Sequence, residues 1–131
     1  MFGNAQLGGV NIAFPDVCLT PPVALPIPYP NVSFGPLGFP PAFKIFWMCT
    51  PSHNILTKPM ISIGDTPGVM GFGIVTHLLM SPTFHIVGAF TMLLMGLPAT
   101  RMTTFNIQNT LNAAPGMTLV PAQFRVLILK P

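Results

Sequence analysis

Three stretches decide how this chain folds: Phe43-Lys-Ile-Phe-Trp-Met-Cys-Thr-Pro51, Phe90-Thr-Met-Leu-Leu-Met-Gly-Leu-Pro98 and Phe124-Arg-Val-Leu-Ile-Leu-Lys-Pro131. Each starts with Phe, continues apolar and ends at Pro seven or eight positions on. Their starts are 47 and 34 residues apart, so they do not form a regular solenoid. They read as three similar strands set around one axis. Such an arrangement lets one chain present near-equivalent surfaces to a threefold-symmetric partner.

Working outward, short apolar runs bounded by Pro and Gly predict strands at about 43–49, 60–63, 72–79, 84–88, 90–95 and 124–129. Turn residues separate them at 51–54, 64–68, 81–82, 96–98 and 114–116. Residues 100–114, rich in Thr and Asn, are the best candidate for a short helical turn, although these side chains compete for the backbone. Upstream, residues 14–41 hold nine prolines. Each fixes φ and removes a donor, so the stretch is expected to run as an extended, polyproline-like strap against a core rather than as a central strand. The expected fold is mainly β: one small domain over residues 1–131, with a Pro-rich strap at 14–41, a β-rich body at 42–131 and at most one short helix.

Composition narrows the class. Only 5% of the 131 residues are charged and 50% are hydrophobic. Disorder needs the reverse balance, and 17 prolines exclude a long helical bundle. A small β domain that hides surface in a partner remains, as does a membrane protein. Residues 69–98 lack Asp, Glu, Lys and Arg and are long enough to cross a bilayer. Ser81, Pro82 and His85 interrupt that stretch in its middle, leaving two runs of twelve that suit buried strands better. The basic residues Lys44, Lys58, Arg101, Arg125 and Lys130 are scattered, so no nucleic-acid stripe forms. The N-terminus shows neither the basic nor the apolar region of a secretory signal.

Chemistry-bearing residues are few. The chain has no Glu, and Asp16 and Asp65 read as turn or cap residues. No nucleophile elbow, phosphate loop or dinucleotide fingerprint is present, so the chain reads as a non-enzyme. A small thiol or zinc enzyme is the competing chemical reading. Cys18 and Cys49 read as reduced thiols, although a disulfide between them is open. Cys49, His53, His77 and His85 offer the Cys-His₃ set that tetrahedral Zn²⁺ accepts. The alternative is three scattered histidines satisfied by backbone or solvent.

Phe14-Pro-Asp-Val-Cys-Leu-Thr-Pro-Pro22, followed by Pro26-Ile-Pro-Tyr-Pro-Asn31, resembles the opening signature of PAAR-like proteins of the DUF4150 type. Gly64-Asp-Thr-Pro-Gly68 and Met95-Gly-Leu-Pro-Ala-Thr-Arg101 are similar to that group's GD and NGKPAAR elements, with Met95, Leu97 and Thr100 replacing the usual Asn, Lys and Ala. The resemblance implies a small β-rich cone that caps the trimeric spike protein VgrG of a type VI secretion machine, one chain per trimer. It implies a structural and adaptor role, with a separate effector protein as a further partner. It also implies a cytoplasmic protein exported by the machine itself, touching a membrane only during injection. Many relatives hold one structural Zn²⁺ through three histidines and a cysteine, for which Cys49, His53, His77 and His85 are the available counterparts. With the last repeat-like strand at 124–129, the expectation is that any effector is a separate protein rather than a fused toxin.

Overall fold

In a computed structural model, which describes residues 1–130, the first two repeat-like stretches become hairpins of the same design. The strands, in chain order, are β1 (Val10–Thr20), β2 (Leu25–Phe34), β3 (Gly38–Phe39), β4 (Ala42–Trp47), β5 (Thr50–Ser52), β6 (Lys58–Pro59) and β7 (Ser62–Ile63). They continue as β8 (Phe72–Gly73), β9 (Phe84–His85), β10 (Ala89–Leu94), β11 (Leu97–Ala99), β12 (Phe105–Ile107) and β13 (Gly116–Val120). Hairpin β4–β5 pairs Ala42 with Ser52, Phe46 with Pro51 and Trp47 with Thr50. Hairpin β10–β11 pairs Ala89 with Ala99, Leu93 with Pro98 and Leu94 with Leu97, the same register 47 residues on. Both turn through two residues of positive φ, Met48-Cys49 and Met95-Gly96, as a two-residue hairpin with the sheet's own twist requires. The likeness continues past the hairpins. Thr57 Oγ1 accepts from the Asn54 N–H and Thr104 Oγ1 from the Arg101 N–H.

The third stretch finds its partner at the other end of the chain. Leu127 bridges to Phe2, as Phe46 does to Pro51 and Leu93 to Pro98. The expected strand at 124–129 is therefore only an isolated bridge. The Gln123 amide does part of the work of a ladder there, donating to the carbonyls of Gly3 and Val126 and accepting from the N–H groups of Arg125 and Val126. Pro131 lies outside the described residues.

The three units close on one another. The Asn4 N–H donates to Thr100 O at 3.0 Å, the Thr100 N–H to His53 O at 3.2 Å, and the His53 N–H to Asn4 O at 2.9 Å. Bridges Ala5–Ser52, Asn54–Ala99 and Gly3–Arg101 run around the same ring. The result is a pseudo-threefold triangle of extended segments. Inside it, Ile45, Met92 and Val126 form one layer, and Trp47, Leu94 and Ile128 another. Trp47 is the largest of its layer, and it lies where Gly3 has no side chain; a Cβ on Gly3 would run into the indole.

The strap expectation is corrected by the sheet. Its strands run in the order β7-β2-β1-β13-β12-β9, with β8 also on β1, so the Pro-rich stretch supplies the two longest strands. The reason is spacing. Leu25, Ile27 and Tyr29 keep the N–H groups that face β1, while Pro26, Pro28 and Pro30 alternate with them opposite Leu19, Val17 and the β1 bulge. Over these residues β2 has no second neighbour, since β7 pairs only with Val32 and Ser33. The expected helical turn at 100–114 is instead strand β12 and a turn with positive φ at Asn109, Thr110 and Leu111. One 3₁₀ turn occurs, at Gly35–Leu37. Residues 69–98 form turns and short strands rather than one helix, and among the described residues no helix is long and apolar enough to cross a membrane. That overturns a helical span within 69–98.

Leu94 is buried and its neighbour Leu93 is 58% exposed. Leu94→Ala should cost about 2–5 kcal/mol of unfolding free energy, whereas Leu93→Ser should stay within about 0.5 kcal/mol. Urea unfolding of both variants checks this; a larger loss in Leu93→Ser than in Leu94→Ala would mean that the hairpin faces the other way.

Candidate functional site

Two features stand out once the ring is in place. The first is on the surface. Phe43, Phe90 and Phe124 occupy equivalent places in the three units and are 56%, 67% and 69% exposed. Phe46, Leu93 and Leu127, also equivalent, are exposed as well. Six large apolar side chains thus stand outward in three matched pairs around the pseudo-axis. Isolated exposed apolar residues are ordinary; what sets these six apart is that they recur at matched places in three units.

The second is buried and polar. Asp16 and Cys18 lie on β1, two positions apart and so on the same face, and Asp65 lies in the turn after β7. All three are fully buried. One ligand atom from each lies within 4.8 Å of the others; among the described residues this is the one such group of three or more His, Cys, Asp or Glu. The spacing and donor types suit one structural metal ion. Three asparagines bind the group together. Asn31 Nδ2 donates to Asp16 Oδ2 at 2.5 Å, and Asn109 Nδ2 donates to both Asp16 Oδ2 and Asp65 Oδ2, at 3.1 and 2.6 Å. Asn112 Nδ2 donates to Asp16 Oδ1. The other ends of two amides reach the adjoining loop: Asn109 Oδ1 accepts from the Ser81 N–H and Asn112 Oδ1 from the Val75 N–H. The cluster therefore ties β1, β2, the 64–81 loop and the 108–114 turn together. Gly68 packs on Cys18 so closely that a Cβ would collide with it.

The electrostatics follow from burial and from the closeness of the acidic groups. Burial, then the Asp16 and Asp65 carboxyl groups, push the Cys18 thiol up to about 12. Burial raises the Asp65 pKa, with Asp16 adding to it, while backbone N–H groups of Asp65 and Met80 and the Asn109 amide oppose the shift.

The histidines and Cys49 lie elsewhere. His53, in the ring, and His85, on β9, line one cavity with Asn4, Asn11 and Thr118. The cavity's volume of about 10 Å³ is near the minimum for one water. His53 Nε2 meets Gln6 Oε1 at 2.7 Å, and His85 Nδ1 and Asn4 Oδ1 have no protein partner. Cys49 is exposed in the first hairpin turn and His77 is exposed in the 64–81 loop. The fold thus brings His53 and His85 to one place and leaves Cys49 and His77 on the surface. Cys18 and Cys49 are both free. The sequence reading passed over Asp16 and Asp65 as turn residues. The available signal was that these are the chain's two acids, and each sits beside Pro or Gly in an otherwise apolar motif.

Burial lowers the His53 pKa to about 3, with nearby His85 contributing, and lowers His85 to about 4. Below pH about 6.5 the unfolded chain therefore binds protons that the folded chain refuses, so stability should fall from there as pH drops toward 4. The slope should approach about 1.4 kcal/mol per pH unit for each histidine. Asp65 has the opposite sign: its raised folded pKa costs stability as pH rises through its titration, so it offsets part of this slope. Urea unfolding between pH 7 and 4 should show a net loss that lessens in His85→Gln; a flat or rising profile would count against two buried neutral histidines.

The family model for the toxin PAAR-like domain matches residues 9–115. No curated protein and no solved structure matches the chain.

Proposed function

Because the chain belongs to the toxin PAAR-like domain family, whose members are structural parts of the type VI secretion spike rather than catalysts, we propose that it caps the blunt end of a trimeric VgrG spike. The whole chain acts as one unit in this role. One copy sits on one trimer, sharpens the spike for membrane piercing and links it to a separate effector protein. The observation that carries the reading is the threefold set of exposed side chains, Phe43/Phe90/Phe124 and Phe46/Leu93/Leu127. A trimer presents the same apolar surface three times, and a single chain can satisfy all three only with three near-equivalent patches. Here each patch comes from the same strand register of one unit. The same reading keeps the protein in the cytoplasm until firing, after which the machine itself exports it.

Burying a Phe side chain contributes about 1.5–3 kcal/mol. Phe43→Ser with Phe90→Ser and Phe124→Ser should therefore weaken capture by a purified VgrG trimer at least about a hundredfold, with little change in urea stability. Mass measurement of the wild-type complex should give one chain per trimer. Three chains per trimer, or undiminished capture of the triple variant, would remove the basis of this reading.

A further inference from the structure

We propose that a pocket beside the second hairpin, lined by Arg101, receives the carboxylate of an acidic side chain, glutamate by length, that a docked protein presents. The inference needs no particular partner and stands apart from the spike reading, which rests on the threefold apolar set.

The pocket is a break in the repeat. Residues of the first and second units correspond at an interval of 47, so Arg101 matches Asn54, Thr104 matches Thr57 and Val87 matches Pro40. Much of the local design is kept. The Thr57 N–H donates to Asn54 O and the Thr104 N–H to Arg101 O, each at 3.0 Å. Asn54 Nδ2 donates to Leu94 O and Arg101 Nη1 to Ile128 O, so each side chain reaches the inner layer of the next unit. One bond is not kept. The Thr57 hydroxyl donates to Pro40 O at 2.9 Å and draws that segment onto the turn. Among the described residues Thr104 makes no such bond to Val87. A cavity of about 120 Å³ opens there instead, lined by Val87, Gly88, Arg101, Thr103, Thr104 and Phe105.

The lining selects the ligand. Arg101 carries N–H donors in a flat fork and no acceptor, and one of them serves Ile128 O. Thr104 Oγ1 accepts from the Arg101 N–H, which leaves its own hydrogen to give. Donors around a cation suit an anion, and the guanidinium fork suits a carboxylate held by two parallel bonds. The charge is unanswered by any acidic side chain of this chain, because Asp16 and Asp65 are both fully buried in the cluster described above. Val87 and Phe105, both exposed, add apolar walls. These walls favour a ligand with a short hydrocarbon stem behind its charge. Inorganic phosphate would satisfy the donors and leave both walls wet. The volume agrees with such a stem. A cavity of about 150 Å³ takes a benzene ring, so one of about 120 Å³ takes the smaller side chain of glutamate.

Position favours a protein as the source of that side chain. Val87 and Gly88 lead directly into β10, where Phe90 is exposed two positions beyond Gly88 and so on the same side of the chain. A protein that covers Phe90 comes within reach of the pocket, and its acidic side chain gains both the charge and the walls.

The test is a titration of the full chain followed through its amide NMR signals. The probe is N-acetyl-glutamate N-methylamide, with the glutamine analogue as its neutral match. The glutamate probe should shift the signals of Thr103, Thr104 and Phe105 saturably, and the glutamine probe should bind at least about tenfold more weakly. Raising salt from about 0.02 M to about 0.5 M should weaken the glutamate probe. Arg101→Gln should abolish the shifts. That change also removes the bond to Ile128 O, so Val87→Phe gives a second check. It fills the pocket from an exposed position, leaves Arg101 in place and should abolish the shifts too. Equal binding of the two probes overturns the proposal, as does glutamate binding that survives either variant. It is equally overturned if the glutamate probe gives no saturable shift at these signals. Displacement of the probe by an equal concentration of inorganic phosphate overturns it as well, because the pocket would then read charge without the stem.

Discussion

A ring of three backbone hydrogen bonds, joining Asn4, Thr100 and His53 head to tail, is the constraint on which the rest of the fold depends. Each bond links one unit to the next, so none of the three extended segments is left with an open edge on the inside. Closing such a ring needs backbones that approach the axis closely. The equivalent positions Gly3, Ser52 and Ala99 are all small, as they must be. Once the ring is closed, the outward and inward residues of all three units are decided together. That is why the burial sequence of residues 43–47 is repeated at 90–94 and at 124–128.

The same closure explains an inverted distribution of side chains. Among the described residues, buried polar and charged residues outnumber buried apolar ones by 22 to 11, and all six matched outward positions of the repeat units carry Phe or Leu. A ring this narrow encloses little volume, and much of its apolar lining is Ala. Elsewhere the interior is held by directional bonds, such as Asn11 to Ser33, Thr118 to Asn11 and Ser62 to Ser81 O. Directional bonds of this kind specify one arrangement of loops more sharply than apolar contact does. The apolar surplus remains outside, where only a partner can remove it from water.

Much of this was legible in the sequence, for a physical reason. The triplication is written in side-chain size and polarity at fixed offsets, and burial by a common axis preserves that pattern. The positions of Phe43, Phe90 and Phe124 were therefore readable without coordinates. The strap was not. Proline content argued against a central strand, and only the alternation of Pro26, Pro28 and Pro30 with Leu25, Ile27 and Tyr29, set against β1, shows how an edge strand tolerates it. The buried cluster was less legible still. Asp16 and Asp65 are 49 residues apart, and Asn109 and Asn112 lay in a segment that resembled a helical turn. Nothing local says that these four meet. The histidines drew notice by residue type, yet His77 is exposed, while His53 and His85 share one buried cavity.

The two features divide the mechanical task between them. The ring sets a threefold surface whose geometry is decided by backbone bonds, so it does not relax when single side chains change. The buried cluster lies along β1 beyond the bulge, away from the ring, and fastens a long apolar loop that has almost no regular structure of its own. A loop with so few ladder bonds would otherwise open locally at little cost. Fastening it through side chains that reach four separate segments couples its opening to disruption of β1 and β2, the longest pairing in the molecule. A domain built this way keeps its shape through directional bonds at both ends, and leaves its apolar surface free to be matched by something else.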